Sequence, residues 1–232
     1  MIKNKRNLKI AMSLLIFFVS ICICSSSQAL TISWVDWTSQ DYYTWGEVDG
    51  NVNGVSVTYT GYFQNAQTGG GINFWSYNPT TYTAPPVVDN PPPDSDMIRP
   101  STYSSLVIHT VTFSQPVVDP VIAIMALGDN THSTWFQFDR GFDLLNVGSG
   151  YTGPGQLWKS GLRLIGKNGS GLIQFPGIVS SVSWRTSKDY SFDPIFQVGI
   201  SDLANPPVPE PSSFILLAVG ISSILTYRNF KK

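Results

Sequence analysis

The sequence predicts an all-β domain, an antiparallel two-sheet β-sandwich of jelly-roll type, set between a signal helix and a second short apolar helix at the C-terminus. Three observations predict it. Apolar residues alternate with period 2 in short runs from Thr31 to Ile200. Turn residues punctuate those runs about every 8–12 positions, as in sandwiches and barrels. Between the terminal segments nothing repeats at 3.6 residues, and strong helix formers are scarce. An immunoglobulin-like sandwich ranks second, because its Cys–Trp–Cys core signature is missing, and a barrel ranks third.

The first element is an export signal. Lys3, Lys5, Arg6 and Lys9 form a basic region ahead of the apolar run Ile10–Cys24, and Ser27-Gln28-Ala29 offers small residues at a cleavage site. Residues 1–29 therefore read as a signal peptide for the secretion machinery and signal peptidase, an uncleaved anchor being the alternative. Neither Cys22 nor Cys24 follows a small residue, which argues against a lipoprotein.

Residues 30–204 read as one sandwich domain. Val55, Val57 and Tyr59 share one face of a strand, and Asn53-Gly54 joins it to Val48–Val52 in a hairpin. Ser105–Phe113 alternates with Val107, His109, Val111 and Phe113 on one side. Val121–Leu127 is continuously apolar, the mark of a strand buried on both faces. Thr134–Phe138 and Phe142–Val147 flank the turn Asp139-Arg140-Gly141. Leu162–Ile165 and Gly171–Phe175 flank a glycine-rich loop read as a hairpin. Val179–Trp184 and Ile195–Ile200 close a set of ten or eleven strands. The proline-rich stretch 80–100 is expected to be a polyproline-like surface loop.

Both cysteines fall in the signal peptide, so the mature domain has no thiol for catalysis, metal binding or redox chemistry. Residues 30–209 carry seven basic and fourteen acidic side chains, a net charge of about −7. With no basic patch to neutralise phosphates, nucleic acid is excluded as a partner.

Candidate sites are few. Asp89, Asp94 and Asp96 cluster in the proline-rich stretch and offer oxygens to Ca²⁺, though without the glycine and closing glutamate of an EF-hand. Asp36, Asp41 and Asp49 form a weaker set. No other cofactor is indicated. Aromatic residues crowd two regions: Trp34, Trp37, Tyr42, Tyr43 and Trp45, then Phe74, Trp75, Tyr77 and Tyr82. Trp37, Trp45, Trp75 and Tyr77 are the candidate platform on which sugar rings could stack, whereas Trp135 and Trp184 are assigned to the core. His109 is expected to be a hydrogen-bonded core residue and His132 to sit in a turn. No Gly-x-Ser-x-Gly elbow supports a serine hydrolase. Glu47 is the sole glutamate of the mature body, so a glycosidase pair would be mostly aspartate. The domain reads as non-enzymatic, with a hydrolase as the third function considered.

The C-terminus is the most specific segment. Residues 205–211 form a linker ending in Pro209-Glu210-Pro211, a box that can neither continue a strand nor sit deep in a helix. Residues 212–232 follow with an apolar run, Phe214–Tyr227, of 14 residues, short against the roughly 20 of a spanning helix. Arg228, Lys231 and Lys232 end it, a basic stop on the cytoplasmic side. This arrangement resembles the PEP-CTERM sorting signal of exported bacterial proteins. The resemblance implies transient tethering in the inner membrane, processing by exosortase near the box, and release to the cell surface or extracellular matrix. The expected role is structural or adhesive, in exopolysaccharide or biofilm, with a carbohydrate-binding module as the alternative.

Overall fold

The computed structural model describes residues 31–41, 46–187 and 194–203. The expected signal helix, the Pro-Glu-Pro box, the sorting helix and its basic stop, and Trp45, lie outside them. In chain order the first strands are β1 (Ser33–Trp34), β2 (Asp36–Asp41), β3 (Glu47–Val52), β4 (Val55–Thr60) and β5 (Phe63–Gln67). Two 3₁₀ turns, Phe74–Tyr77 and Pro79–Tyr82, precede β6 (Met97–Pro100), β7 (His109–Val118) and β8 (Val121–Leu127). Then come β9 (Thr134–Phe138), β10 (Asp143–Gly148), β11 (Gln156–Ser160) and β12 (Arg163–Lys167). The last are β13 (Gly169–Gln174), β14 (Ile178–Thr186), β15 (Ile195–Ile200) and β16 (Asp202–Leu203).

These strands form the expected all-β sandwich of two antiparallel sheets. The first runs β10-β13-β8-β15-β6-β5, with β1 also on β15. The second runs β11-β12-β9-β14-β7-β4-β3-β2, with β16 also on β7. Between them lies an aromatic and aliphatic core in which Trp37, Tyr59, Phe136, Phe138, Phe175, Trp184 and Phe196 are buried. Trp184 meets Phe196 edge-on at 5.3 Å, a geometry favoured by the ring quadrupoles.

The hairpin between β3 and β4 forms in the expected register, Val52 opposite Val55. Asn53 (φ 51°) and Gly54 (φ 78°) both take the left-handed conformation that a two-residue hairpin turn requires. Strand β8 is buried at every position, because both faces of its sheet are covered.

The cover on the outer face corrects the expected polyproline loop. Tyr82 and Val88 are buried with Trp75, Met97, Met125 and Leu172 in a second apolar cluster. Residues 80–100 hold enough apolar side chains to pack on the sheet and end in β6, so the segment is a layer rather than a surface excursion. The glycine-rich loop is corrected as well. β12 pairs with β9 and β11 in one sheet, while β13 pairs with β8 and β10 in the other. Residues 166–170 therefore carry the chain across the sandwich, and β12 and β13 are not a hairpin. Asn168 makes the crossing at φ 51°. It accepts from Thr152 Oγ1 at 2.6 Å and donates through Nδ2 to the Thr152 and Pro154 carbonyls. Strand β7 starts four residues later than the alternation suggests, leaving Leu106 and Ile108 exposed.

Candidate ligand-binding cleft

The two sheets differ in what covers them. The 3₁₀ turns and residues 80–100 bury the outer face of the first, and the outer face of the second is left to solvent. Its strands alternate accordingly: Val55, Val57 and Tyr59 point inward from β4, and Ser56 and Thr60 outward. A ladder of short hydroxylated side chains follows, with Thr110 and Ser183 hydroxyls 2.9 Å apart across β7 and β14. Any surface site is most readily built on this open face.

The predicted platform is not there. Trp37 and Trp75 are both fully buried, which corrects their assignment as surface residues. Trp37 lies between the sheets, packed where Gly50 leaves room: a Cβ on Gly50 would come within 2.8 Å of its ring. Its Nε1 donates to Gln197 Oε1 at 2.6 Å. Trp75 sits under the proline-rich layer, its Nε1 donating to the Asp96 carbonyl at 3.0 Å. Each indole satisfies its one polar group internally, which is what lets so large a side chain be buried whole. Tyr77 is exposed, and its ring stands edge-on to Tyr151 at 4.5 Å, with Phe74 on the same ring at 5.1 Å.

The calcium set does not assemble either. Asp89 and Asp94 are exposed, while Asp96 is buried and its Oδ2 accepts the Trp37 N–H at 2.9 Å. Among the described residues no group of three ligating side chains comes together. Burial pushes the Asp96 carboxyl up to about 6, opposed by the Trp37 N–H and reinforced by the carboxylates of Asp36 and Asp94. In the weaker set, Asp49 uses Oδ1 to accept from Thr58 Oγ1 at 2.8 Å.

His109 is a core histidine. Its Nδ1 meets the Tyr59 hydroxyl at 2.7 Å, and its ring stacks on Tyr59 and Trp184. Burial lowers its pKa to about 4, so it is neutral at physiological pH. Sealed between two aromatic rings, it cannot reach a ligand at the surface. His132 is exposed beside Asp129, in the expected turn.

What the open face does contain is a cleft of about 390 Å³. One wall is Trp135 and Gln137 on β9; the opposite side is Ser183 and Arg185 on β14. Ser105 and Ile108, in the segment leading to β7, form the rim, and Asp139 closes one end. Trp135 is half-buried rather than in the core, correcting the sequence assignment. The alternation of Thr134-Trp135-Phe136-Gln137-Phe138 held the signal. Phe136 and Phe138 take the inner face, so Trp135 and Gln137 must point outward. Trp158 on β11 is exposed by the same logic, opposite the buried Leu157.

Arg163 on β12 approaches from the side of β9 away from the cleft. Its guanidinium lies 4.5 Å from the Trp135 ring centroid, and its Nε donates to Gln137 Oε1 at 3.0 Å. Those contacts hold the indole and the amide in fixed positions. Register places Trp158 opposite Ile165, and Ile165 opposite Trp135. The two indoles thus stand two strands apart on one row, roughly 10 Å at ordinary strand spacing. No family model, curated protein or solved structure matches this chain.

Proposed function

We propose that this chain is an exported, non-catalytic carbohydrate-binding protein of the cell surface or extracellular matrix, with the open face of its sandwich as the binding surface. The observation that carries the reading is Trp135: a half-buried indole held by Arg163 on the wall of a cleft whose polar groups are the hydroxyls of Ser105 and Ser183, the Gln137 amide, the Arg185 guanidinium and the Asp139 carboxylate. Sugar rings present C–H faces to an aromatic plane and hydroxyls to surrounding polar groups, and this cleft offers both. Asp139 is the single carboxylate lining it, whereas glycoside cleavage uses two facing carboxyl groups.

The strand order supports the finer architecture. Strands β6-β15-β8-β13 face β7-β14-β9-β12, the eight-strand arrangement of a jelly roll, a fold used by lectin domains. The terminal segments supply the delivery. The basic and apolar N-terminus directs export, and the Pro-Glu-Pro box with its apolar run and basic stop tethers the chain until exosortase releases it. The domain then acts structurally or adhesively, holding exopolysaccharide.

Glycan-array binding tests the site. Binding is expected for the native chain and is lost on Trp135→Ala or Trp158→Ala with an unchanged circular dichroism spectrum. Binding unaffected by either substitution would sink the assignment of this face. Sorting is tested separately, by the mass of the tagged protein in a host with exosortase: a full-length tail on the surface-exposed product rules out processing at the box.

A further inference from the structure

The charges of this domain are segregated, and the cleft lies at the positive end. Among the described residues there are six basic side chains, and five of them, Arg140, Lys159, Arg163, Lys167 and Arg185, belong to β11, β12, β14 or the link after β9. The far edge of the same sheet carries Asp36, Asp41, Glu47 and Asp49 on β2 and β3.

The cations nearest the cleft are also unspent. Neither Arg163 nor Arg185 makes an ion pair with any described residue; among those residues Arg163 gives one N–H, to Gln137, and Arg185 gives none. The one acidic group at the cleft is already engaged, since Asp139 Oδ1 accepts the Ser183 N–H at 3.2 Å and lies 3.5 Å from Arg140 Nε. A guanidinium presents paired donors in the geometry of a carboxylate and desolvates more readily than an ammonium. Two such groups flank Gln137, one on each neighbouring strand and two residues along β9 from Trp135, and Arg163 reaches back over the indole.

We propose that the ligand of this face is an acidic polysaccharide, its rings stacking on Trp135 and Trp158 and its carboxylates paired with Arg163 and Arg185. This rests on the carbohydrate-binding reading above and names the class of glycan. The row of indoles crosses the strands, so the polymer lies transverse to them, with a charged group falling beside each arginine. The net negative charge of the domain works against non-specific attraction of polyanions, so binding depends on this local island of positive charge.

Titration calorimetry of the full chain with polygalacturonate, and with the same polymer after its carboxyl groups are reduced to alcohols, tests the assignment. Binding to the acidic polymer is expected to be about tenfold or more tighter than to the reduced one, the scale of one charge-assisted hydrogen bond. It should weaken as salt rises from 50 to 200 mM, over about the range in which exposed charges are screened. R163Q and R185Q should each weaken binding of the acidic polymer several-fold more than binding of the reduced one, and W135A should weaken both about equally. Equal affinity for the two polymers overturns the acidic assignment and leaves the carbohydrate reading standing. Binding to neither overturns both, and acidic-polymer binding untouched by R163Q, R185Q and W135A places the ligand elsewhere.

Discussion

Arg163 stacks on Trp135 from one side of β9 while the cleft opens on the other, so the indole is clamped rather than buried. An exposed cation–aromatic contact of this kind contributes about 0.5–1 kcal/mol. Arg163→Ala is therefore expected to lower stability by no more than about 1 kcal/mol in urea unfolding. A loss of several kcal/mol would show that the arginine supports the fold rather than the site.

Trp37 should behave in the opposite way. Trp37→Ala empties a fully enclosed site between the sheets and is expected to cost about 3–5 kcal/mol. Trp37→Phe keeps most of the ring and removes the bond to Gln197, whose Oε1 still accepts the Val198 N–H at 2.8 Å. Its expected cost beyond the lost volume is about 1 kcal/mol. Denaturant titration of the two variants beside Trp135→Ala ranks the two indoles by burial.

Two buried titratable groups pull stability in opposite directions with pH. Asp96 is raised from the ordinary 3.8 to about 6; the folded state holds its proton longer, so this contribution is full below about 4 and is lost as pH rises through 6. His109 is lowered from 6.5 to about 4; the unfolded state takes its proton first, so this contribution is full above about 6.5 and is lost as pH falls toward 4. The two offset each other between about pH 4 and 6.5. Asp96→Asn should make stability rise with pH across that window, and His109→Phe should make it fall. Thermal melts of both variants from pH 4 to 7 check the signs, and identical slopes in the two would exclude this pairing.

Asn168 should be among the most sensitive polar positions. It is buried, takes the left-handed conformation without being glycine, and makes three side-chain hydrogen bonds to Thr152 and Pro154. Asn168→Ala is expected to cost roughly 3 kcal/mol, about one for each bond, with a further penalty for the backbone. Calorimetric melting is the check; a shift no larger than that of an exposed serine variant would remove Asn168 as the anchor of the crossing.

The fold class was legible because strand periodicity and turn chemistry are local. Asn53-Gly54 dictates a tight hairpin whatever surrounds it, and the unbroken run from Val121 to Leu127 requires cover on both faces. Pairing across the sandwich is not local. A short glycine-rich link looks the same whether the next strand turns back beside β12 or crosses to the other sheet as β13. The cleft was half legible: Phe136 and Phe138 determine that Trp135 and Gln137 face out, but only the tertiary structure brings Arg163 and Arg185 to the two sides of Gln137. Trp37 and Trp75 misled because crowded aromatics in sequence carry no sign of which face they take. Their burial depended on partners as remote as Gln197 and Asp96.

The crossings between sheets also order events in time. From β7 to β10 each strand lies in the sheet opposite its predecessor, and β15, near the end of the domain, sits between β8 and β6 in the middle of the first sheet. Trp37 likewise waits for Gln197, 160 positions later. Neither sheet can close while the chain is still emerging, and loop-closure entropy makes such topologies slow to fold. A chain threaded through a membrane pore would thus stay unfolded until its last strands arrive, and the domain would take its shape only on the far side.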